Sequence, residues 1–340
     1  MKKVFIGLAL CMFLSKLTAQ GNYKILNKIH LDGDEGYDYL TADKTNNRLY
    51  ISHGDMVQVL DVETKKVLAS IPAKRVHGIT LANDLNKGYI SNGKDSSVTV
   101  FDLTNFKTIK NVKVTGANPD AIMYDKFSKQ IFVFNGRSNN ATVINANTDL
   151  VTATISLSGK PEFSVSDENG KVYVNIEDKN EITLINTTTL KVEKTWSIVP
   201  GEEPTGLAID NKTHRLFSVC GNKLMMIVNA ETGKIITSLP IGDGCDGVAF
   251  DTELKRAYSS NGEGSVTIVQ EENENTFRVI ETIQTEKGAR TITVNQKTHH
   301  VFLPVSERGE APKPTAENPH PRTPIKPNSF MILELGETGK

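Results

Sequence analysis

The stretch NPDAIMYDKFSKQIFVFNGRSNNATVIN, residues 118–145, decides the fold of this chain. It contains three short segments rich in aromatic and aliphatic residues, 120–124, 130–134 and 141–144, with polar turns between them. Alternation at a period of two residues predicts β-strands, whereas a helix would need a sustained apolar period of 3.6 residues. The same unit recurs along the whole chain.

A polar residue closes the first strand of each copy. It recurs at intervals of 41 to 44 residues, at Asp43, Asp84, Asp125, Asp167, Asp210, Asp251 and Asn295. A period of about 40–45 residues with four short strands per unit is the pattern of a β-propeller blade. Seven copies therefore predict an all-β protein, a seven-bladed β-propeller of four-stranded antiparallel blades.

The last copy offers only three strands, 290–294, 300–304 and 329–335. An open ring would leave two unpaired sheet edges, which invite aggregation. We expect residues 23–29 (YKILNKI) to supply the missing strand by pairing beside 330–335, so that the N-terminal strand closes the ring.

Residues 1–20 have the pattern of a secretory signal peptide. Two lysines precede the apolar run 4–14, and a Leu-Thr-Ala exit follows at 17–19. The sequence therefore predicts an exported propeller domain, residues 21–340, in the periplasm or secreted. No other run approaches the ~20 apolar residues of a transmembrane helix, so no membrane span is expected.

Removal of the leader takes away Lys2, Lys3 and Lys16 and changes the formal net charge from −1 to −4. An acidic domain has no general electrostatic attraction to nucleic acid or to anionic membranes. We therefore expect a monomer whose partner is a small molecule, a glycan or a protein, rather than a nucleic acid.

Two cysteines remain, Cys220 and Cys245. The first ends the second strand of the fifth copy and the second precedes the first strand of the sixth, so both belong to the same face of neighbouring blades. In an oxidising compartment such a pair predicts a disulfide. A buried unbonded pair, or a reactive or metal-binding thiol, are the alternatives.

The seventh copy carries an insertion, residues 306–329, with six prolines. Such a segment is expected to avoid sheet pairing and to favour extended polyproline II geometry. It joins the second and third strands of its blade, so it should project over the face that carries the cysteines. It is either a stiff surface loop or a lid or docking arm.

The strand ends YISN (89–92), FVFN (132–135) and YSSN (258–261) resemble the tetrapeptide of the YVTN-type β-propeller repeat. A G-x-x-P element precedes it, as at 116–119 and 201–204. Over the whole of 21–340 the chain is thus similar to the exported YncE-like propellers. The resemblance implies a seven-bladed ring without an assigned reaction in most members, nucleic-acid binding in some, and related propellers that are lactonases.

Polar side chains from several blades converge where the loop into the first strand and the loop after the second open around the channel. The sequence predicts ligand-binding residues there: His53, His77, Asn92, Asp120, Asn135, Arg137, Glu162, Asn175, Glu177, Thr205, Asp246, Asn261 and Arg290.

Structural roles are the alternative for these residues. Three of the asparagines precede glycine, and Asn-Gly pairs favour turns. Asp120, Glu162 and Asp246 share one position of the repeat, and are expected either to cap loop amides or to bind a ligand or cation. Asp38 and Arg290 take that position in the first and last copies. The two histidines do not recur, and a single histidine commonly makes a structural hydrogen bond.

The chain contains no G-x-S-x-G, HExxH or P-loop motif, and no catalytic residue is predicted. The favoured function is non-catalytic binding on the channel face. One alternative is a lactonase-like hydrolase with a channel metal and His77 as base, and another is a scaffold that docks through 306–329. No cofactor is predicted, with Ca²⁺ held by Asn and Asp oxygens as the alternative.

Overall fold

Seven four-stranded antiparallel sheets form a ring in the computed structural model, which describes residues 22–43, 45–313, 315 and 323–338. The predicted seven-bladed β-propeller is confirmed. The predicted signal peptide, residues 1–20, lies outside the described residues.

Each blade is numbered from its innermost strand outward. Blade one contains β2 (Tyr37–Asp43), β3 (Arg48–His53), β4 (Met56–Asp61) and β5 (Val67–Pro72). Blade two contains β6 (Val76–Ala82), β7 (Lys87–Asn92), β8 (Ser97–Asp102) and β9 (Thr108–Lys113). Blade three contains β10 (Pro119–Asp125), β11 (Gln130–Asn135), β12 (Asn140–Asn145) and β13 (Leu150–Ser156). Blade four contains β14 (Pro161–Ser166), β15 (Lys171–Ile176), β16 (Glu181–Asn186) and β17 (Lys191–Ser197).

The later blades follow the same plan. Blade five contains β18 (Pro204–Asp210), β19 (Arg215–Cys220), β20 (Leu224–Asn229) and β21 (Ile235–Pro240). Blade six contains β22 (Cys245–Asp251), β23 (Arg256–Asn261), β24 (Ser265–Asn273) and β25 (Thr276–Gln284). Blade seven contains β26 (Thr293–Val294), β27 (Val301–Val305), β28 (Met331–Glu337) and the N-terminal β1 (Tyr23–His30). Short 3₁₀ turns cover Asn83–Leu85 and Glu177–Lys179.

The hydrophobic core lies between the blades. One aromatic residue at the same place in the second strand of every blade is at most 1% exposed: Tyr50, Tyr89, Phe132, Tyr173, Phe217, Tyr258 and Phe302. Apolar clusters join each blade to its neighbour, as where Tyr89 packs with Ile122 and Ile131 of blade three. Because each cluster needs two blades, stability depends on completing the ring.

Ring closure follows the prediction. β1 pairs antiparallel with β28, with Tyr23 opposite Glu337 and Ile29 opposite Ile332. The inner strand of blade seven is shorter than predicted, since only residues 293–294 pair within the blade. The Thr291 side chain just before it donates a hydrogen bond to Asp38 O of blade one (2.7 Å).

The proline-rich insertion joins β27 to β28, as expected, but its base is paired. Arg308 and Ile325 form an antiparallel bridge, and Gly309 N donates to Pro324 O at 2.9 Å. The expectation that this segment avoids sheet pairing is therefore wrong for its base, because Arg308 and Gly309 precede the six prolines and Ile325 lies between two of them, so that these residues keep their amide groups. Residues 314 and 316–322, at its far end, lie outside the described residues.

Cys220 and Cys245 come together across blades five and six, yet as free thiols. Cys245 Sγ donates to Cys220 O at 3.0 Å, and Cys220 Sγ lies 3.8 Å from Ser218 O. The predicted disulfide is thus corrected to a buried unbonded pair, since each sulfur is directed at a backbone carbonyl rather than at the other sulfur.

Among the described residues, no helix is long and apolar enough to cross a membrane.

Candidate ligand-binding site

One side chain from every blade lies at the same mouth of the channel. It comes from the second position of the inner strand in blades one to six, and from the equivalent position of the repeat, three residues before β26, in blade seven. We call this set the mouth ring: Asp38, His77, Asp120, Glu162, Thr205, Asp246 and Arg290. The repeat places them together because each inner strand begins at the same depth and runs in the same direction along the axis.

His77 links two acidic members of the mouth ring. Its Nδ1 lies 2.6 Å from Asp38 Oδ2 and 3.8 Å from Asp120 Oδ1. Its Nε2 is buried without a hydrogen-bond partner among the described residues and faces Gly93, where an added Cβ would lie 2.5 Å from that nitrogen. A proton on Nδ1, donated to Asp38, is therefore the favoured neutral tautomer, because a proton on Nε2 would have no acceptor.

Two cations flank the other side of the mouth. Lys160 Nζ lies 2.5 Å from Glu162 Oε1 and also pairs with Glu177. Arg290 Nε lies 3.3 Å from Asp246 Oδ2, and its side chain is half exposed. Neither cation reaches Asp120 within ion-pair distance, so the acidic charge is only partly compensated.

Burial and crowding shift the pKa values of the mouth ring. Burial, followed by the charge of Asp38, raises the pKa of Asp120, and burial followed by Asp120 raises the pKa of Glu162. Burial raises the pKa of Asp246 to about 6 although Arg290 opposes the shift. Burial alone would lower the pKa of His77, but Asp38 and Asp120 raise it on balance. Carboxylates crowded in this way favour any ligand that brings positive charge.

Two aromatic side chains meet across the channel directly after the mouth ring. Tyr39 of blade one and Phe163 of blade four have ring centroids 5.5 Å apart. The remaining blades carry only small residues at this position: Gly78, Ala121, Gly206, Gly247 and Thr291. The aromatic pair therefore spans the channel beneath the mouth, and a cavity of about 370 Å³ with mainly apolar walls lies along the inner strands.

The Tyr39 hydroxyl has no hydrogen-bond partner among the described residues. Its pKa is raised well above the usual value by burial and then by the mouth carboxylates, with Asp120 and Glu162 the strongest. The hydroxyl thus lies close to the acidic groups and can donate to a ligand held there.

Six of the predicted residues belong to the mouth ring, namely His77, Asp120, Glu162, Thr205, Asp246 and Arg290. The alternative that the three acids cap loop amides is not what their contacts show, since their partners within ion-pair distance are His77, Lys160 and Arg290. Thr205 is instead turned to its neighbour, with Oγ1 donating to Cys245 O at 3.2 Å.

Apart from Glu177, which pairs with Lys160 at the edge of the mouth, the other predicted residues do not converge there. Asn92, Asn135 and Asn261 are buried and donate from their side-chain amides within their own blades, to Thr99, Thr142 and Thr267 respectively. This fixes the end of the second strand against the third, so these asparagines have a structural role, although it is a side-chain contact between strands rather than the expected left-handed turn.

Asn175, His53 and Arg137 also lie elsewhere. Asn175 Nδ2 donates to Thr205 O and Gly206 O and so joins blades four and five. His53 is fully buried, stacked on Phe330 with ring centroids 4.0 Å apart, and burial lowers its pKa. Arg137 is exposed in a turn and forms no ion pair among the described residues.

Sequence reasoning left Tyr39, Phe163 and Lys160 out of the predicted site, and named Asp38 only as an equivalent position. The repeat register was a sufficient signal for Asp38, because it follows the first residue of an inner strand as Asp120 does. Aromatic residues directly after that position, in two blades of seven, were the signal for the aromatic contact across the channel.

Three residues of the mouth ring lie close enough together to be considered as ligands of a divalent metal ion. Asp38, His77 and Asp120 each offer one ligand atom, and these atoms lie within 4.8 Å of one another. A metal on His77 Nδ1 would put the proton on Nε2, and metal-bound histidines normally donate that proton to an acceptor. His77 Nε2 has none, so the residues fit a divalent ion poorly.

The chain is similar in fold to several solved structures. Hydrazine synthase of Kuenenia stuttgartiensis matches with a TM-score of 0.71 at 17% identity, over 81% of this chain and 94% of that chain. The WD40 repeats of RRP9 match with a TM-score of 0.75 at 9% identity, over 93% and 98%. A structure of U3-55K matches with a TM-score of 0.74 at 9% identity, over 92% and 98%.

At such low identity these similarities establish the propeller fold and nothing about the ligand. No protein-family model and no curated protein sequence matches the chain.

Proposed function

We propose that this protein is an exported, monomeric, non-catalytic propeller of the YVTN type that binds a small organic cation at the mouth of its channel. The propeller fold is consistent with a binding or scaffold role. The observation that carries the proposal is the group of four carboxylates, Asp38, Asp120, Glu162 and Asp246, gathered above an aromatic floor.

An ammonium or guanidinium group fits these residues better than a bare metal ion. It supplies its own hydrogen-bond donors, which the carboxylates can accept without changing the favoured tautomer of His77. The aromatic pair below the carboxylates adds a surface on which an organic cation is stabilised by cation–π attraction. The Tyr39 hydroxyl can donate to a neighbouring polar group of the same ligand.

Isothermal titration with agmatine, putrescine and choline tests this, with 1-butanol and butyramide as uncharged controls. We expect at least one cation to bind, and Asp120→Asn to weaken it at least ten-fold. Glu202→Gln, which removes an exposed acid in the loop before β18, should leave the affinity unchanged. The proposal fails if none of the three cations binds, or if the uncharged compounds bind equally well.

A lactonase-like hydrolase is the second candidate, because His77 lies between two carboxylates and Glu162 has a raised pKa. Such groups can act as general acid or base. Metal analysis of the purified protein together with a panel of lactones separates the two functions. Turnover that is lost in His77→Gln would favour the hydrolase, whereas no metal and no turnover would remove it.

The scaffold alternative requires docking through 306–329. Replacing residues 309–324 by a short Gly-Ser linker should then abolish capture of a partner, while a cation-binding protein would keep its affinity for the cation.

A further inference from the structure

A second cavity, of about 630 Å³, lies between blades six and seven beneath the base of the insertion. One wall is the loop after β25, with Glu286, Lys287 and Gly288. The opposite wall is the paired base of the insertion, which contributes Arg308 and Thr323 among others. Val305 and Met331, the last residue of β27 and the first of β28, provide an apolar surface at one end.

Ser306 lines this cavity and is fully buried. Its hydroxyl has no hydrogen-bond partner among the described residues. An unsatisfied buried polar group costs about 1–3 kcal/mol, so such a group in a cavity wall indicates that something else accepts its hydrogen bond.

The two acidic side chains in the cavity wall form ion pairs with lysines, whereas among the described residues its two basic side chains form none. Glu286 pairs with Lys28 at 2.6 Å, and Glu307 pairs with Lys326 at 2.9 Å. Within the described part of the chain Lys287 and Arg308 form no ion pair, and the Arg308 guanidinium donates only to the Thr323 carbonyl at 3.3 Å. The uncompensated charge facing the cavity is therefore positive.

We propose that this cavity is a binding site for a small organic anion, a carboxylate with a short apolar body. The carboxylate accepts hydrogen bonds from the Ser306 hydroxyl and from Arg308, with Lys287 adding charge, and the apolar body packs on Val305 and Met331. The site has the opposite charge preference from the mouth and does not depend on the proposed function.

The test follows the methyl group of Met331 by NMR in protein labelled with ¹³C-methyl methionine. Hexanoate is the probe, and hexanamide is its uncharged isostere. We expect hexanoate to shift the Met331 signal in a saturable manner and hexanamide to bind at least ten-fold more weakly. The signal of Met225, buried in the apolar cluster between blades five and six, should stay in place.

Paired variants complete the test. Lys287→Gln with Arg308→Gln should weaken hexanoate binding at least ten-fold, and Ser306→Ala should weaken it about three-fold. Lys94→Gln with Arg137→Gln removes the same charge from exposed residues outside the cavity and should have no effect. The proposal is overturned if Met331 does not respond to hexanoate, if hexanamide binds as well, or if the paired charge variant binds normally.

Discussion

At the scale of single residues, the proposed cation site implies that the mouth ring trades stability for binding. Asp120, Glu162 and Asp246 all have raised pKa values, which means that their ionised forms are less favourable in the folded protein than in the unfolded chain. Groups that destabilise the protein and converge on one pocket are typical of functional sites.

The variant Asp120→Asn tests this trade. The extra stability of a carboxyl with a raised pKa is present below its unfolded pKa and is lost as the pH rises through the folded pKa, here between about 4 and 6. Asn imitates the protonated form, so the variant should be more stable than the wild type by on the order of 1 kcal/mol at about pH 8 and about equal near pH 4.

Thermal melts at both pH values measure this difference, and Glu202→Gln serves as the exposed control. Lower stability of Asp120→Asn at about pH 8 would show that Asp120 supports the fold, and would contradict the expectation that its ionised form lowers stability.

The buried cysteines lead to a second prediction at this scale. Burial raises the pKa of both thiols to about 12, and the thiolate is the reactive form. Iodoacetamide should therefore modify neither Cys220 nor Cys245 in the native protein and both after denaturation, as read by mass spectrometry without reductant. A mass two units lower, with no labelling after denaturation, would instead establish the disulfide.

The register of the repeat predicted which positions share the mouth, and Asp120, Glu162 and Asp246 confirm it. Register could not distinguish Asn92 from Asp120, because both positions end on the same face. Their difference arises from side-chain direction. Asn92 lies at the end of a second strand, where Ser97 and Thr99 accept its amide protons, whereas Asp120 lies on an inner strand beside the axis.

At the scale of elements, β1 decides whether the ring closes. Its residues pair with β28, and its side chains reach blade six, where the Tyr23 hydroxyl lies 2.8 Å from that of Tyr258 and accepts a hydrogen bond from Arg256. Deletion of residues 21–30 should therefore lower the melting temperature sharply. A melting temperature equal to that of the full chain would contradict the closure.

A single carboxylate on β28, that of Glu334, allows a more specific test of what stabilises the closing sheet. Burial alone would raise its pKa, but hydrogen bonds from His300, Lys65 and Asn27 lower it to about 2. The contribution of the ionised Glu334 carboxylate to the stability of the folded protein is present above the unfolded pKa of about 4.3 and is lost as the pH falls towards 2. Glu334→Gln should cost about 2–3 kcal/mol in urea unfolding at neutral pH and progressively less below about pH 4.

Glu231→Gln, at an exposed acid in the turn after β20, is the control and should behave as the wild type. An equal loss of stability for Glu334→Gln at all pH values would assign the effect to packing rather than to charge.

At the scale of the whole molecule, the architecture was predictable because the sequence contains seven copies of the same four-strand repeat. The interior of the channel was not, since only two blades, through Tyr39 and Phe163, place aromatic side chains across it. The insertion was predictable in position but not in its paired base, where Arg308 and Ile325 form a bridge between prolines that cannot donate backbone hydrogen bonds.

The closing strand brings the beginning and the end of the folded body together, with Thr338 N donating to Asn22 O at 2.8 Å. The two ends of the folded body are therefore neighbours, and the fold depends little on where in the ring the chain is broken. A circular permutant that joins residues 22 and 338 through a few glycines and starts at the turn after β17 should still assemble, because every strand would keep its partners within its own sheet.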